Sequence, residues 1–197
     1  LLDDMTPIVL ASTSPYRREL LQRLRVPFSV QAPGVDERAL VGEPPRETAR
    51  RLALAKALAV AKDHRDSIVI GSDQVADVDG SALSKPGTHD AALAQLQRMQ
   101  GREVVFHTAL AVVDPRGGSQ VADVPTVVRF RVLPADQLDG YLRADKPYDC
   151  AGAAKIESLG ITLVESVRSD DPTALIGLPL IRLTELLAAC GVRLPPA

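Results

Sequence analysis

The sequence predicts an α/β fold built around a mixed β-sheet. Three observations carry this: short β-branched runs alternate with helical repeats, two long strand-like runs are joined by Asp114-Pro115-Arg116-Gly117-Gly118, and 197 residues suffice to bury a core. The apolar and charged fractions, 46% and 24%, are those of a globular chain rather than a disordered one. One domain spanning 1–197 is expected, with residues 1–4, which precede Met5, set aside as outside the native start.

Residues 8–11 form a short apolar strand that ends in Ser12-Thr13-Ser14-Pro15. Leu20, Leu21 and Leu24 then recur at helical spacing. Ser14 is placed to cap this helix and Pro15 to sit in its first turn, where a missing N–H costs nothing. Residues 28–31 are a second strand candidate, and residues 44–62 a long Ala-rich helix. A strand over 67–70 runs into Gly71-Ser72-Asp73-Gln74, which reads as a site at a strand end or as a plain turn. Thr88 precedes a helix over 90–99 that Gly101 stops. Residues 104–113 and 121–132 are antiparallel partners; a helix over 134–144, a strand over 161–167 and a last helix over 179–190, ended by Gly191, complete the chain.

The net charge of -2 and scattered basic residues leave no footprint for a nucleic-acid polymer, although a small anion needs only local positive charge. No apolar stretch is long enough to span a bilayer, and the first residues lack a basic segment followed by an apolar one, so a cytoplasmic protein is expected. Cys150 and Cys190 lack metal or redox spacing and read as reduced thiols. His64, His89 and His107 show no ligand spacing and read as surface or strand residues. Neither GxxxxGK[ST] nor GxGxxG is present.

Two constellations remain. Ser12-Thr13-Ser14-Pro15-Tyr16-Arg17 lies where a strand meets a helix N-terminus, a place that favours an anion, with Arg17 able to offer a planar fork. The plainer reading is a capping serine and a solvated arginine. In the second, Asp73 can hold a divalent cation or take a proton from water. Lys56 either reaches a cleft or snorkels to solvent, and Lys85 and the pair Asp36-Glu37 are further charged candidates.

Taken in order, these pieces resemble the Maf family of nucleoside triphosphate pyrophosphatases over nearly the whole chain. The matching segments are Leu10-Ala11-Ser12-Thr13-Ser14-Pro15-x-Arg17-Arg18, Val35-Asp36-Glu37, Arg51-Leu52-Ala53-x-x-Lys56-Ala57, Gly71-Ser72-Asp73, Lys85-Pro86 and Gly177-Leu178-Pro179. Within the family, Asp73-Gln74-Val75, Phe106-His107-Thr108, Cys150-Ala151-Gly152 and the run from Asp171 to Leu180 are similar to the branch preferring 7-methyl-GTP. The dTTP/UTP branch has Asp-Thr where Asp73-Gln74 stands. The sequence departs from the family at Ser84, where Gly is usual, at Tyr16, where Trp is frequent, and at Ile156, where a small residue is expected.

The resemblance implies an elongated fold like that of the inosine triphosphate pyrophosphatases, with a cleft between two lobes, and commonly a homodimer. It implies hydrolysis of 7-methyl-GTP to the monophosphate and pyrophosphate with Mg²⁺ or Mn²⁺, with a small-molecule nucleotide as the only partner besides. Carried over by position, Asp73 is the general base; Ser12, Ser14, Arg17, Lys56 and Lys85 take the phosphates; Glu37 and Asp73 take the metal; and Tyr16, Gln74 and Glu157 select the base. A regulator that binds a nucleotide without hydrolysing it, and a pyrophosphatase for dTTP, UTP or inosine nucleotides, are the alternative readings.

Overall fold

The computed structural model describes residues 6–196, so the expectation about residues 1–4 lies outside the described residues. The elements in chain order are β1 (Ile8–Ala11), α1 (Pro15–Gln22), β2 (Ser29–Gln31), α2 (Pro45–Ala61), β3 (Ile68–Val78), β4 (Ser81–Leu83), α3 (His89–Met99), β5 (Glu103–Val113), β6 (Ser119–Phe130), α4 (Ala135–Asp145), β7 (Val164–Arg168) and α5 (Leu180–Ala189). They build one mixed sheet with the order β2-β1-β3-β5-β6-β7. The β2-β1-β3 part is parallel, and the remainder is antiparallel. Among the described residues no helix is long and apolar enough to cross a membrane.

Strand alternation sorts the core. Val9, Ala11, Val69, Ala109 and Ala111 face α2, whose Ala49, Ala53 and Ala57 lie against them. The opposite parity, Ile8, Leu10, Ile68, Ile70, Leu110 and Val112, faces α1 and α5. Farther along the same strands Ala76, Val78, Val104, Phe106 and Val128 pack under α3 and α4. Two lobes therefore share β3, β5 and β6, one built on α1, α2 and α5 and the other on α3 and α4. Between the apolar clusters β3 and β5 carry Ser72, Gln74 and Thr108, a polar seam where the lobes part.

The strand expected over 67–70 extends to Val78, which corrects the reading of Gly71-Ser72-Asp73-Gln74 as a turn or strand end. The cause is β5, which pairs with β3 without interruption from Val69 to Asp77. The other edge of β3 is divided. β1 covers it up to Gly71, and β4, joined to β3 by Asp79-Gly80 with both residues at positive φ, covers it from Ala76. Ser72 to Val75 thus lie in a gap between the two edge strands, and both neighbouring chains leave the sheet there. The strand expected over 161–167 is also shorter: Leu159–Leu163 is 3₁₀-helical and β7 begins at Val164. Gly160 closes so tightly on Lys155 that an added Cβ would lie 2.4 Å from its carbonyl oxygen, a compact loop incompatible with extended chain.

Candidate functional site

A cleft of about 970 Å³ opens over the gap in the sheet, with walls from both lobes. Its floor is the exposed edge of β3, with Asp73 directed to the α2 face and Gln74 to the other. The β1–α1 junction forms one wall. Ser14 caps α1 by accepting from the Arg17 N–H at 3.3 Å, and the Ser14 N–H in turn donates to Ser12 Oγ at 3.0 Å. Both serine oxygens are thus engaged as acceptors, which leaves their O–H groups to serve as donors. Pro15 occupies the first turn as the sequence predicts.

Arg17 is half-buried and tied to the fold rather than free in solvent. Its Nε donates to the Gly177 carbonyl at 2.8 Å, and the Ser72 hydroxyl lies 2.9 Å from the same oxygen. Burial holds the Arg17 pKa below its ordinary value, against the pull of Asp73 and Glu37. Among the described residues its terminal nitrogens make no hydrogen bond, so the fork is positioned with its ends uncommitted.

Lys56 rises from α2 between Ala53 and Ala57 and stays inside the protein, with only 5% of its side chain exposed. Its ammonium donates to Asp73 Oδ1 at 2.7 Å and meets Glu37 Oε1 at 3.0 Å. The placement depends on Gly71, where α2 approaches so closely that no Cβ could fit. Burial raises the Asp73 carboxyl above the ordinary range, and Lys56 and Arg17 oppose that rise without cancelling it. Glu37 is held by its loop: Arg51 binds Glu43 at 2.6 and 2.7 Å and the Arg38 carbonyl at 3.1 Å. Asp36, paired with Arg38 on the surface, stands apart from this group.

The remaining residues singled out from the sequence also reach the cleft. Lys85 leaves the end of β4 at the gap, exposed and lining the opening. The Gln74 amide donates to the Leu175 and Ala174 carbonyls at 2.9 and 3.2 Å and lies 2.9 Å from Thr108 Oγ1, so its nitrogen is committed to the protein. Tyr16 stands at the start of α1, and Glu157 lies across from it on a segment of the other lobe. Desolvation pushes the Glu157 carboxyl up, although Lys155 pulls the other way. Ser72, Thr108 and Gly177 stand inside segments that carry the family resemblance but receive no site role from the sequence.

Residues 7–190 match the family described as Maf-like protein. The chain belongs to the Maf family. Among curated Maf relatives, the 7-methyl-GTP pyrophosphatase of Polaromonas sp. is 58% identical over 189 residues, covering 95% of this chain and 86% of its own. Those of Thiobacillus denitrificans and Paraburkholderia xenovorans are 59% and 60% identical, covering 94% and 93% of this chain and 92% of their own in both cases. Among solved structures, the nucleoside-triphosphatase (dITP/XTP pyrophosphatase) of Mycobacterium abscessus overlaps 63% of this chain and 72% of its own, at 22% identity and a TM-score of 0.41.

One cluster outside this Maf cleft was not expected. His107 on β5 has Nδ1 3.2 Å from Asp123 of β6 and Nε2 3.5 Å from Asp77 of β3, and Arg46 of α2 meets Asp123 at 3.1 Å. The hydrogen bond to Asp123 is the main reason that the imidazole pKa is raised. The expectation of an ordinary strand histidine holds for its position but misses this environment.

Proposed function

We propose that the cleft binds a nucleoside triphosphate, with 7-methyl-GTP preferred, and hydrolyses it between the α and β phosphates. The observation that carries this reading is the Asp73–Lys56–Glu37 group beside Arg17 in the sheet gap. The relatives named 7-methyl-GTP pyrophosphatase, 55–60% identical over most of the chain, support the substrate. In the reaction a water oxygen bonds to the α-phosphorus and its proton passes to the Asp73 carboxylate. The bond from the α-phosphorus to the bridging oxygen breaks, and pyrophosphate leaves.

Asp73 suits the role of base because burial raises its pKa, which makes the carboxylate a better proton acceptor, while Lys56 fixes one of its oxygens. Arg17, Lys56 and Lys85 offset phosphate charge, and the hydroxyls of Ser12 and Ser14 donate to phosphate oxygens. Tyr16 covers the base. Glu157 accepts from its two Watson–Crick N–H groups, and the Gln74 oxygen faces the nucleoside.

Glu37 and Asp73 are the residues that would hold Mg²⁺ or Mn²⁺. Lys56 takes Asp73 Oδ1 and Glu37 Oε1, so a hard cation would use the second oxygen of each carboxylate, with substrate phosphates completing its oxygen ligands. When bound, it supplies charge neutralisation at the phosphates. A cytoplasmic setting belongs to the same proposal, supported by two free cysteines.

The test is pyrophosphate release from a panel of canonical and modified triphosphates by the wild type and by Asp73→Asn. The amide keeps the shape and loses the base, so the rate on 7-methyl-GTP falls by about 10²–10⁴-fold with the fold intact. Near-normal turnover by a folded Asp73→Asn protein, or a wild type that prefers dTTP, refutes the corresponding part of the proposal.

A further inference from the structure

We infer that Lys155 is a positioning residue for base binding: its ammonium clamps the Tyr16 ring against the cleft, so that the ring presents a fixed face to the base. This rests on the function proposed above, in which Tyr16 covers the base. The Lys155 Nζ lies over the Tyr16 ring, 5.2 Å from its centroid, within the range of a cation–π contact. Tyr16 belongs to α1 in one lobe, while the segment carrying Lys155 packs through Ala153, Ala154 and Ile156 on the core of the other. The contact therefore joins the two walls of the cleft. Glu157, two residues on, lines the cavity together with Tyr16.

The root of the Lys155 side chain is fixed. Its N–H donates to the buried Tyr141 hydroxyl at 2.9 Å, and that hydroxyl donates to the Ala153 carbonyl at 3.0 Å. The Lys155 carbonyl accepts from the Ser158 N–H at 3.1 Å, and Gly160 is packed against the same peptide. Ser158 is itself tied to Asp145 of α4 at 3.0 Å. A lysine so anchored spends only its own side-chain freedom on the contact. Tyr16 stands at the first turn of a short helix, is only partly buried, and among the described residues is not one of those packed on the apolar clusters. A fixed ring favours the stacking of any base, and the nearby ammonium sets a repulsion against one that already carries positive charge.

The experiment measures binding of 7-methyl-GMP and GMP, which need no hydrolysis, to wild type, Lys155→Met and Lys155→Arg, alongside kcat and KM for 7-methyl-GTP. Lys155→Met is expected to weaken GMP about two- to five-fold and 7-methyl-GMP no more than that, raising KM and leaving kcat unchanged. Lys155→Arg keeps the affinity, since a guanidinium also stacks on an aromatic face. Unchanged affinity in Lys155→Met, or an arginine variant as weak as the methionine one, overturns the inference. If no pyrophosphate is released from any triphosphate, the hydrolytic reading fails, while the monophosphate measurements still decide the role of Lys155.

Discussion

Gly71→Ala is the sharpest test of how the site is held. A Cβ at this position would lie 2.2 Å from the Ala53 carbonyl oxygen, 2.8 Å from the Ala57 nitrogen and 2.9 Å from the Ala57 Cβ. The first two obstacles are helix backbone, which cannot turn aside as a side chain would. To reach the shortest ordinary carbon–oxygen approach of about 3.3 Å, α2 must withdraw by roughly 1 Å. Overpacking of a close-packed core costs about 1–3 kcal/mol, and an obstacle made of backbone puts this substitution at the upper end. Lys56 lies between Ala53 and Ala57 in sequence, so the same retreat lengthens its 2.7 Å bond to Asp73. A displacement of that size in a catalytic group lowers turnover by about 10²-fold. Urea unfolding and pyrophosphate release, measured on Gly71→Ala and on Gly118→Ala as a control with open space around its Cβ, check both effects. A Gly71→Ala protein as stable and active as the control refutes the close approach of α2.

Two further outcomes follow from buried polar groups. Asp171 is 2% exposed and accepts from the N–H and hydroxyl of Thr173 at 2.9 and 2.7 Å and from the Ile181 N–H at 2.7 Å. Asp171→Ala removes the acceptor of the Ile181 N–H in the first turn of α5 and strands that N–H and the Thr173 N–H, costing about 2–3 kcal/mol in urea unfolding; a loss under about 0.5 kcal/mol contradicts that account. His107, facing Asp77, Asp123 and the nearby Arg46, has a folded pKa raised above 6.5. Its contribution to stability is therefore fully present below pH 6.5 and is lost as pH rises through the raised value. The wild-type urea midpoint should decline over that window relative to His107→Gln, and parallel pH profiles would remove His107 from the account.

What the sequence revealed and what it hid have physical reasons. Helices such as α2 and α3, and the hairpin of β5 and β6, announce themselves through periodicity and turn residues, because local preference and tertiary packing agree there. The course of β3 past Ile70 is hidden because Ser72, Asp73 and Gln74 interrupt an apolar run. Their polarity is satisfied by groups more than fifteen residues away, Lys56, Gly177 and Leu175. Asp79-Gly80 is a hairpin signal that identifies β4, though a three-residue strand is easily passed over. Family resemblance supplied Glu157, which spacing alone would leave as a solvated carboxylate, and neither route pointed to Lys155. Its contact with Tyr16 spans 139 positions and exists only once the lobes are assembled.

The long central strands also decide how the cleft can behave mechanically. β3 and β5 are each eleven residues long, stay in register over nine pairs, and run beneath both lobes. Swinging one lobe toward the other would bend a hydrogen-bonded ribbon buried on both faces for much of its length. Any closing of the cleft therefore works against this ribbon, at a cost drawn from the binding energy of the ligand. Water must be displaced locally, by the base, the phosphates and the side chains at the rim. Discrimination between one base and another falls first to those few side chains.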